Sequence, residues 1–168
     1  MELAEQLRTD GTAKGLCQLY QTKLGACSSV EELVKLFIKG IDFCVNNDFP
    51  TLDFMRENFK GKSEPYGAFV DDEVDASNLT HAVLNGACLA CLDYNGYKVA
   101  RVYARHTSVA AVTVSGHAIV TIDAFDKAEL HVAVAGNDAR VLVNVYGDAK
   151  VECLGNGIKV INNNKNTY

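Results

Sequence analysis

Glycine returns on a fixed spacing through the second half of this chain. Gly86, Gly96, Gly116, Gly136, Gly147 and Gly157 fall on steps of ten residues, with one step of eleven, and His106 and Asp126 take the two remaining places. Alternating segments run between these positions. His117-Ala-Ile-Val-Thr-Ile-Asp-Ala-Phe-Asp126 and Asp138-Ala-Arg-Val-Leu-Val-Asn-Val-Tyr-Gly147 carry Ala, two β-branched residues and then Ala or Val at every second place. Period two between turn residues is the pattern of short strands, each of about six to eight residues. A unit that has one apolar face and recurs at a fixed period buries that face by stacking, which predicts a solenoid. With two strands per coil the period is about 20 residues, and 85–161 supply roughly four coils. The expected class is therefore α+β: an N-terminal helical subdomain followed by a right-handed parallel β-helix of ten-residue strand-turn units. Asn85-Gly86, Asn95-Gly96 and Asn156-Gly157 are also hairpin signals, so an antiparallel β-sandwich or barrel is the competing architecture.

In a solenoid, alternate runs share a side, and their outward residues can be compared. One side carries Thr107, Val109, Ala111, Thr113, Lys127, Glu129, His131, Asp148, Lys150 and Glu152, small or charged residues that suit water. The other carries Tyr97, Val99, Arg101, Tyr103, Arg105, Ile119, Thr121, Asp123, Phe125, Arg140, Leu142, Asn144 and Tyr146, which is too apolar and aromatic to be left wet without reason. Coils of 20 to 21 residues set Arg105, Phe125 and Tyr146 above one another. Such a face either docks the helices or a second copy of the chain, or it is a binding surface.

The first half has a different period and a different composition. Residues 1–66 hold eight leucines and three valines, whereas 97–161 hold three leucines and thirteen valines, a change from helix-favouring to strand-favouring side chains. Leu16, Tyr20 and Leu24 recur at helical spacing after Asp10-Gly11-Thr12, where Asp10 or Thr12 is a candidate cap. Ser29-Val30-Glu31-Glu32 has the spacing of a capping box and precedes an amphipathic run from Leu33 to Cys44 that ends near Asn46-Asn47-Asp48. Pro50 opens a third short helix. The expected organisation is a helical subdomain over 1–60, a linker with an acidic loop over 61–84, the solenoid over 85–161, and a polar tail over 162–168 suited to capping one solenoid end.

Chemistry-bearing motifs are sparse. Cys88-Leu-Ala-Cys91 is a CxxC, but residues three apart in a strand point to opposite faces, and no second pair completes a zinc site. Asp71-Asp72-Glu73-Val74-Asp75 lacks the glycine and distal glutamate of a calcium loop. His106 and His117 fall at corners, where histidine bonds to turn backbone; a hydrolase using either one near Asp123 is the enzymatic alternative. There is no phosphate loop, nucleophile elbow or dinucleotide fingerprint, so no cofactor and no metal is expected. Sixteen Lys and Arg against 21 Asp and Glu give a net charge of −5, which argues against a basic nucleic-acid groove. The six cysteines lie within apolar patterns, as free thiols do in a reducing compartment, and no stretch reaches the ~20 apolar residues of a membrane span. The expected location is the cytoplasm.

Gly15-Leu16-Cys17, Gly40-Ile41-Asp42-Phe43-Cys44, Asp48-Phe49-Pro50 and Val102-Tyr103-Ala104-Arg105-His106, together with the Ala-x-Val-x-Val repeats, resemble small proteins encoded by phages and mobile elements of Bacteroides-type gut bacteria. The resemblance spans most of the chain and carries no catalytic residue with it. It implies a phage-type protein acting in a bacterial host, a setting in which small proteins without enzyme motifs act as inhibitors or decoys of defence components or of their nucleotide signals. The expectation is thus a non-enzymatic, homo-oligomeric binding protein. Arg101, Arg105 and Arg140 would supply charge-assisted bonds to a partner protein or anionic small molecule, and Tyr103, Phe125 and Tyr146 the stacking surface. The second expectation is a scaffold that polymerises end to end, as bactofilin-like solenoids do.

Overall fold

A computed structural model describes all 168 residues. It divides into two compact units, Met1–Tyr66 together with Tyr168, and Gly67–Thr167.

The first unit holds five helices where the sequence predicts three. The first, α1 (Glu2–Ala13), runs straight through Asp10, Gly11 and Thr12, so these residues do not cap the next helix; the Thr12 hydroxyl donates to the Arg8 carbonyl within α1. α2 (Gln18–Gly25) instead starts after Cys17, which makes no side-chain cap. The capping box forms at α3 (Val30–Lys39), where Ser29 Oγ accepts from the Glu32 N–H at 3.3 Å. The Glu32 carboxylate reaches back to the Ser28 N–H at 2.7 Å. That backbone bond, with the Ser28 hydroxyl, holds the Glu32 carboxyl below its usual range. Gly40 interrupts the predicted long helix and starts α4 (Ile41–Asn46). Thr51, one residue after Pro50, caps α5 (Leu52–Asn58) by accepting from the Phe54 N–H. Leu7, Leu33, Val34, Phe37, Met55 and Phe59 are buried in this unit, with the Phe54 and Phe59 rings edge to face at 5.7 Å.

The second unit is a parallel β-solenoid. Its strands are β1 (Ala68–Val70), β2 (Glu73–Ser77), β3 (His81–Asn85), β4 (Leu89–Tyr94), β5 (Val99–Ala104), β6 (Val109–Val114), β7 (Ile119–Ala124), β8 (Glu129–Val134), β9 (Arg140–Val145), β10 (Lys150–Leu154) and β11 (Ile158–Asn162). Odd-numbered strands form one six-stranded sheet in the order β1-β3-β5-β7-β9-β11, and even-numbered strands a five-stranded sheet in the order β10-β8-β6-β4-β2. Every neighbouring pair is parallel, which excludes the antiparallel sandwich. Registers follow the sequence period: Val99 pairs with Ile119, and Ile119 with Arg140. The side chains between the sheets are those that alternation assigns inward, Ala118, Val120, Ile122, Ala124, Leu130 and Val143 among them, and all are buried. Each Val or Ile withdrawn from water in such a place is worth about 1.5–3 kcal/mol.

All eight corner positions have positive φ, including the non-glycines His106 (59°) and Asp126 (60°). The corners stack. A Cβ on Gly116 would come within 3.1 Å of the Gly96 backbone, so φ and close approach both demand glycine there. His106 and Asp126 compensate for their strained backbone with side-chain bonds to neighbouring corners: the Gly86 N–H donates to His106 Nδ1, and the His106 N–H to Asp126 Oδ2, both at 2.9 Å.

Two boundaries differ from expectation. In place of a linker over 61–84, a 3-10 turn at Glu64–Tyr66 leads directly into β1, β2 and β3. The acidic loop is β2 itself, whose Val74 faces the core while Glu73 and Asp75 face water. The corners of this first coil are Asp71 (φ 50°) and Asn78 (φ 55°), so the glycine marker that reveals later corners is missing. At the other end, the polar tail does not fold over the core. The Asn163 N–H donates to the Val145 carbonyl and the Gly147 N–H to the Lys165 carbonyl, so the tail continues round the coil.

Candidate functional site

The six residues expected to bind a partner separate into two groups. Tyr103, Arg105, Phe125 and Tyr146 are buried, at 1–7% exposure, so no molecule from solution reaches them. The column predicted from the repeat is nevertheless present. Phe125 and Tyr146 stack with ring centroids 4.8 Å apart and planes 11° from parallel, one strand spacing above each other. Arg105, one coil below Phe125, turns its guanidinium to Asn85: Nη1 donates to Asn85 Oδ1 at 3.1 Å, and Asn85 Nδ2 donates to the Phe69 carbonyl. This column is a buried structural spine tied to its neighbours by the Arg105–Asn85 and Asn85–Phe69 hydrogen bonds, not a ligand surface.

Arg101 and Arg140 are exposed and belong to a different group. They flank the part of the six-stranded sheet where Val99 is 63% and Ile119 50% exposed. At the adjoining corners Tyr97, 82% exposed, stacks on His117 at 4.8 Å with the rings 7° from parallel. Arg101 lies with its guanidinium 5.8 Å from the Tyr103 ring centroid. Arg140 is held at the corner by two carbonyls, Nη1 donating to Asn137 at 2.7 Å and Ala139 at 2.8 Å. The register places the two arginine Cα atoms two strands and two residues apart, about 12 Å. The strip is thus an apolar and aromatic patch bracketed by two fixed positive charges.

The other outward side is solvated, with exposed charges such as Glu129, Lys150 and Glu152; His131 Nδ1 and Glu152 Oε2 lie 3.1 Å apart there. His106 is a corner ligand of backbone, and Asp123 is buried and accepts from Asn144 Nδ2 at 2.7 Å, so each has a structural employment. Cys88 is buried and Cys91 exposed, on opposite faces. Burial pushes the Cys88 thiol up, away from the reactive thiolate, and its Sγ donates to the Asn85 carbonyl. No three His, Cys, Asp or Glu side chains converge as metal ligands, and no helix is long and apolar enough to cross a membrane.

Sequence reasoning missed one cavity. It lies in the helical unit, measures about 340 Å³, and has Leu7, Leu33, Phe37 and Phe59 among its lining with exposed Cys17, Lys39 and Asp42 also bordering it. The one signal for it in the sequence is the recurrence of Phe37, Phe43, Phe49 and Phe59, all of which line it, over a short stretch of the helical unit. Comparison with family models, curated proteins and solved structures finds no match to this chain.

Proposed function

We propose that the protein is a non-enzymatic binding protein whose solenoid presents the Tyr97-Val99-Ile119 strip to an acidic segment of a partner protein. The observation that carries this reading is the exposure of Val99 and Ile119 side by side on the sheet, with exposed Tyr97 at the adjoining corner, between Arg101 and Arg140. An extended peptide advances about 3.3 Å per residue, so carboxylates three to four residues apart match the ~12 Å between the arginines. Sidedness supports the same surface: the five-stranded sheet turns charges such as Glu129, Lys150 and Glu152 to water, and its exposed Leu89 stands beside Glu73 and not between two arginines. In the phage-type setting that the sequence resembles, the partner is a host defence protein met in the bacterial cytoplasm. A nucleotide-like signal is the second occupant to test, since the stacked Tyr97 ring could also receive a base.

Photo-crosslinking tests the proposal. A benzophenone amino acid replaces Tyr97 in Bacteroides-type cells producing the chain. A discrete protein adduct is expected, lost in Arg101→Glu/Arg140→Glu and retained in Thr113→Glu on the opposite sheet. No adduct, or one indifferent to the arginine reversals, overturns it; a nucleotide adduct transfers the strip to the second occupant.

A further inference from the structure

The two ends of the solenoid are unlike. At the N-terminal end β1 is buried along its whole length, and the inward-facing Phe69 and Val74 are each 8% exposed. At the C-terminal end the last coil is open: inward-facing Val160 is 40% exposed, inward-facing Cys153 is also exposed, and Leu154 on the outer face of β10 is 75% exposed. β10 and β11 are terminal strands, bonded on one flank only, to β8 and β9 respectively. A wet apolar cross-section with a free row of backbone donors and acceptors on both of its strands is a template for further strands. The tail leaves it uncovered, because Asn163 and Lys165 follow the coil around its rim.

The geometry points to a second copy of this chain as the occupant, seated C-terminal end to C-terminal end in a closed dimer. A two-fold axis perpendicular to the sheets sets β10 antiparallel to β10 of the second copy, and β11 to β11. Charge complementarity favours one register of β10 over those centred on its charged residues. Inward faces coincide only when residues of the same parity oppose each other. Centring β10 on Lys150 opposes two lysines, and centring it on Glu152 opposes two glutamates. Centring it on Val151 places Lys150 opposite Glu152 of the second copy twice over, with Val151 on Val151 inside. A filament needs both strands of both ends, and burial of β1 withholds one strand of the N-terminal end, leaving only β2 with a free flank there. The dimer is thus the closed alternative to end-to-end polymerisation, independent of the strip proposed above.

Sedimentation of the full chain over a concentration series tests this. The expected result is one associated species of twice the 18.2 kDa chain mass. Glu152→Lys, an exposed change that leaves the monomer fold intact by circular dichroism, is expected to weaken dimerisation at least tenfold. The swap Lys150→Glu/Glu152→Lys restores the opposition of unlike charges and is expected to return affinity to within about threefold of the parent. A chain that stays monomeric, a ladder of larger species, or a dimer indifferent to Glu152→Lys overturns the inference.

Discussion

Tyr94 ends β4 with its ring in the solenoid core and no hydrogen-bond partner for its hydroxyl. A buried hydroxyl without a partner costs about 1–3 kcal/mol relative to a satisfied one. Tyr94→Phe is therefore expected to raise stability by about 1 kcal/mol, read as a higher urea midpoint with an unchanged slope. Burial also pushes the Tyr94 phenol up to about 12. In the unfolded chain it ionises near pH 10, so the unfolded state gains proton-release free energy first, and stability present below pH 10 is lost as pH rises toward 12. The loss attributable to this group is on the order of 2 kcal/mol, and alkaline unfolding of Tyr94→Phe should lack it; equal pH slopes would refute the assignment. Tyr94 also marks a limit of sequence reading: alternation places it inward, but nothing in the repeat says whether a core position offers its hydroxyl an acceptor.

At the scale of elements, the column of Arg105, Phe125 and Tyr146 follows from the repeat, since steps of 20 and 21 residues fix which side chains lie above one another. Its burial does not follow. Alternation assigns a side chain to one side of a sheet; whether that side is dry is a tertiary property with no period. The consequence is a prediction about variants. Arg105→Ala and Tyr146→Ala, which a surface reading treats as harmless to folding, remove buried groups. Tyr146→Ala is expected to cost about 3 kcal/mol through the cavity beside Phe125. Arg105→Ala is expected to cost about 2 kcal/mol, because it removes the donor to buried Asn85 Oδ1. Chemical denaturation checks both, and wild-type midpoints would restore the surface reading. The missed strands β1, β2 and β3 have an equally local cause: the corners between them use Asp71 and Asn78, the side chains other than glycine that best tolerate positive φ.

For the whole molecule, a solenoid is a nearly one-dimensional stack in which each coil is held by its neighbours. Stability is then graded along the axis. β5 to β8 have a strand on both flanks, β1 has one flank but is buried, and β10 and β11 have one flank and face water. Amide exchange in the Glu152→Lys variant, whose last coil stays open, is expected to be at least tenfold faster in β10 and β11 than in β6 and β7. Uniform protection would contradict the open end.

The single eleven-residue step also matters. It lies at the corner Gly136-Asn137-Asp138, and the register on either side keeps its parity, with Val120 on Val141 as Ala100 is on Val120. A Cβ on Gly136 would meet nothing within 4 Å. Length can therefore change at a bend without rotating any wall residue from interior to exterior, whereas one residue gained inside a wall would invert everything to the next bend. Variation in such a lineage should accumulate as insertions at bends and as substitutions on walls. The bend at Asn137, next to Arg140, is accordingly the place where a foreign loop could be grafted beside the exposed strip while the stack beneath it keeps its order.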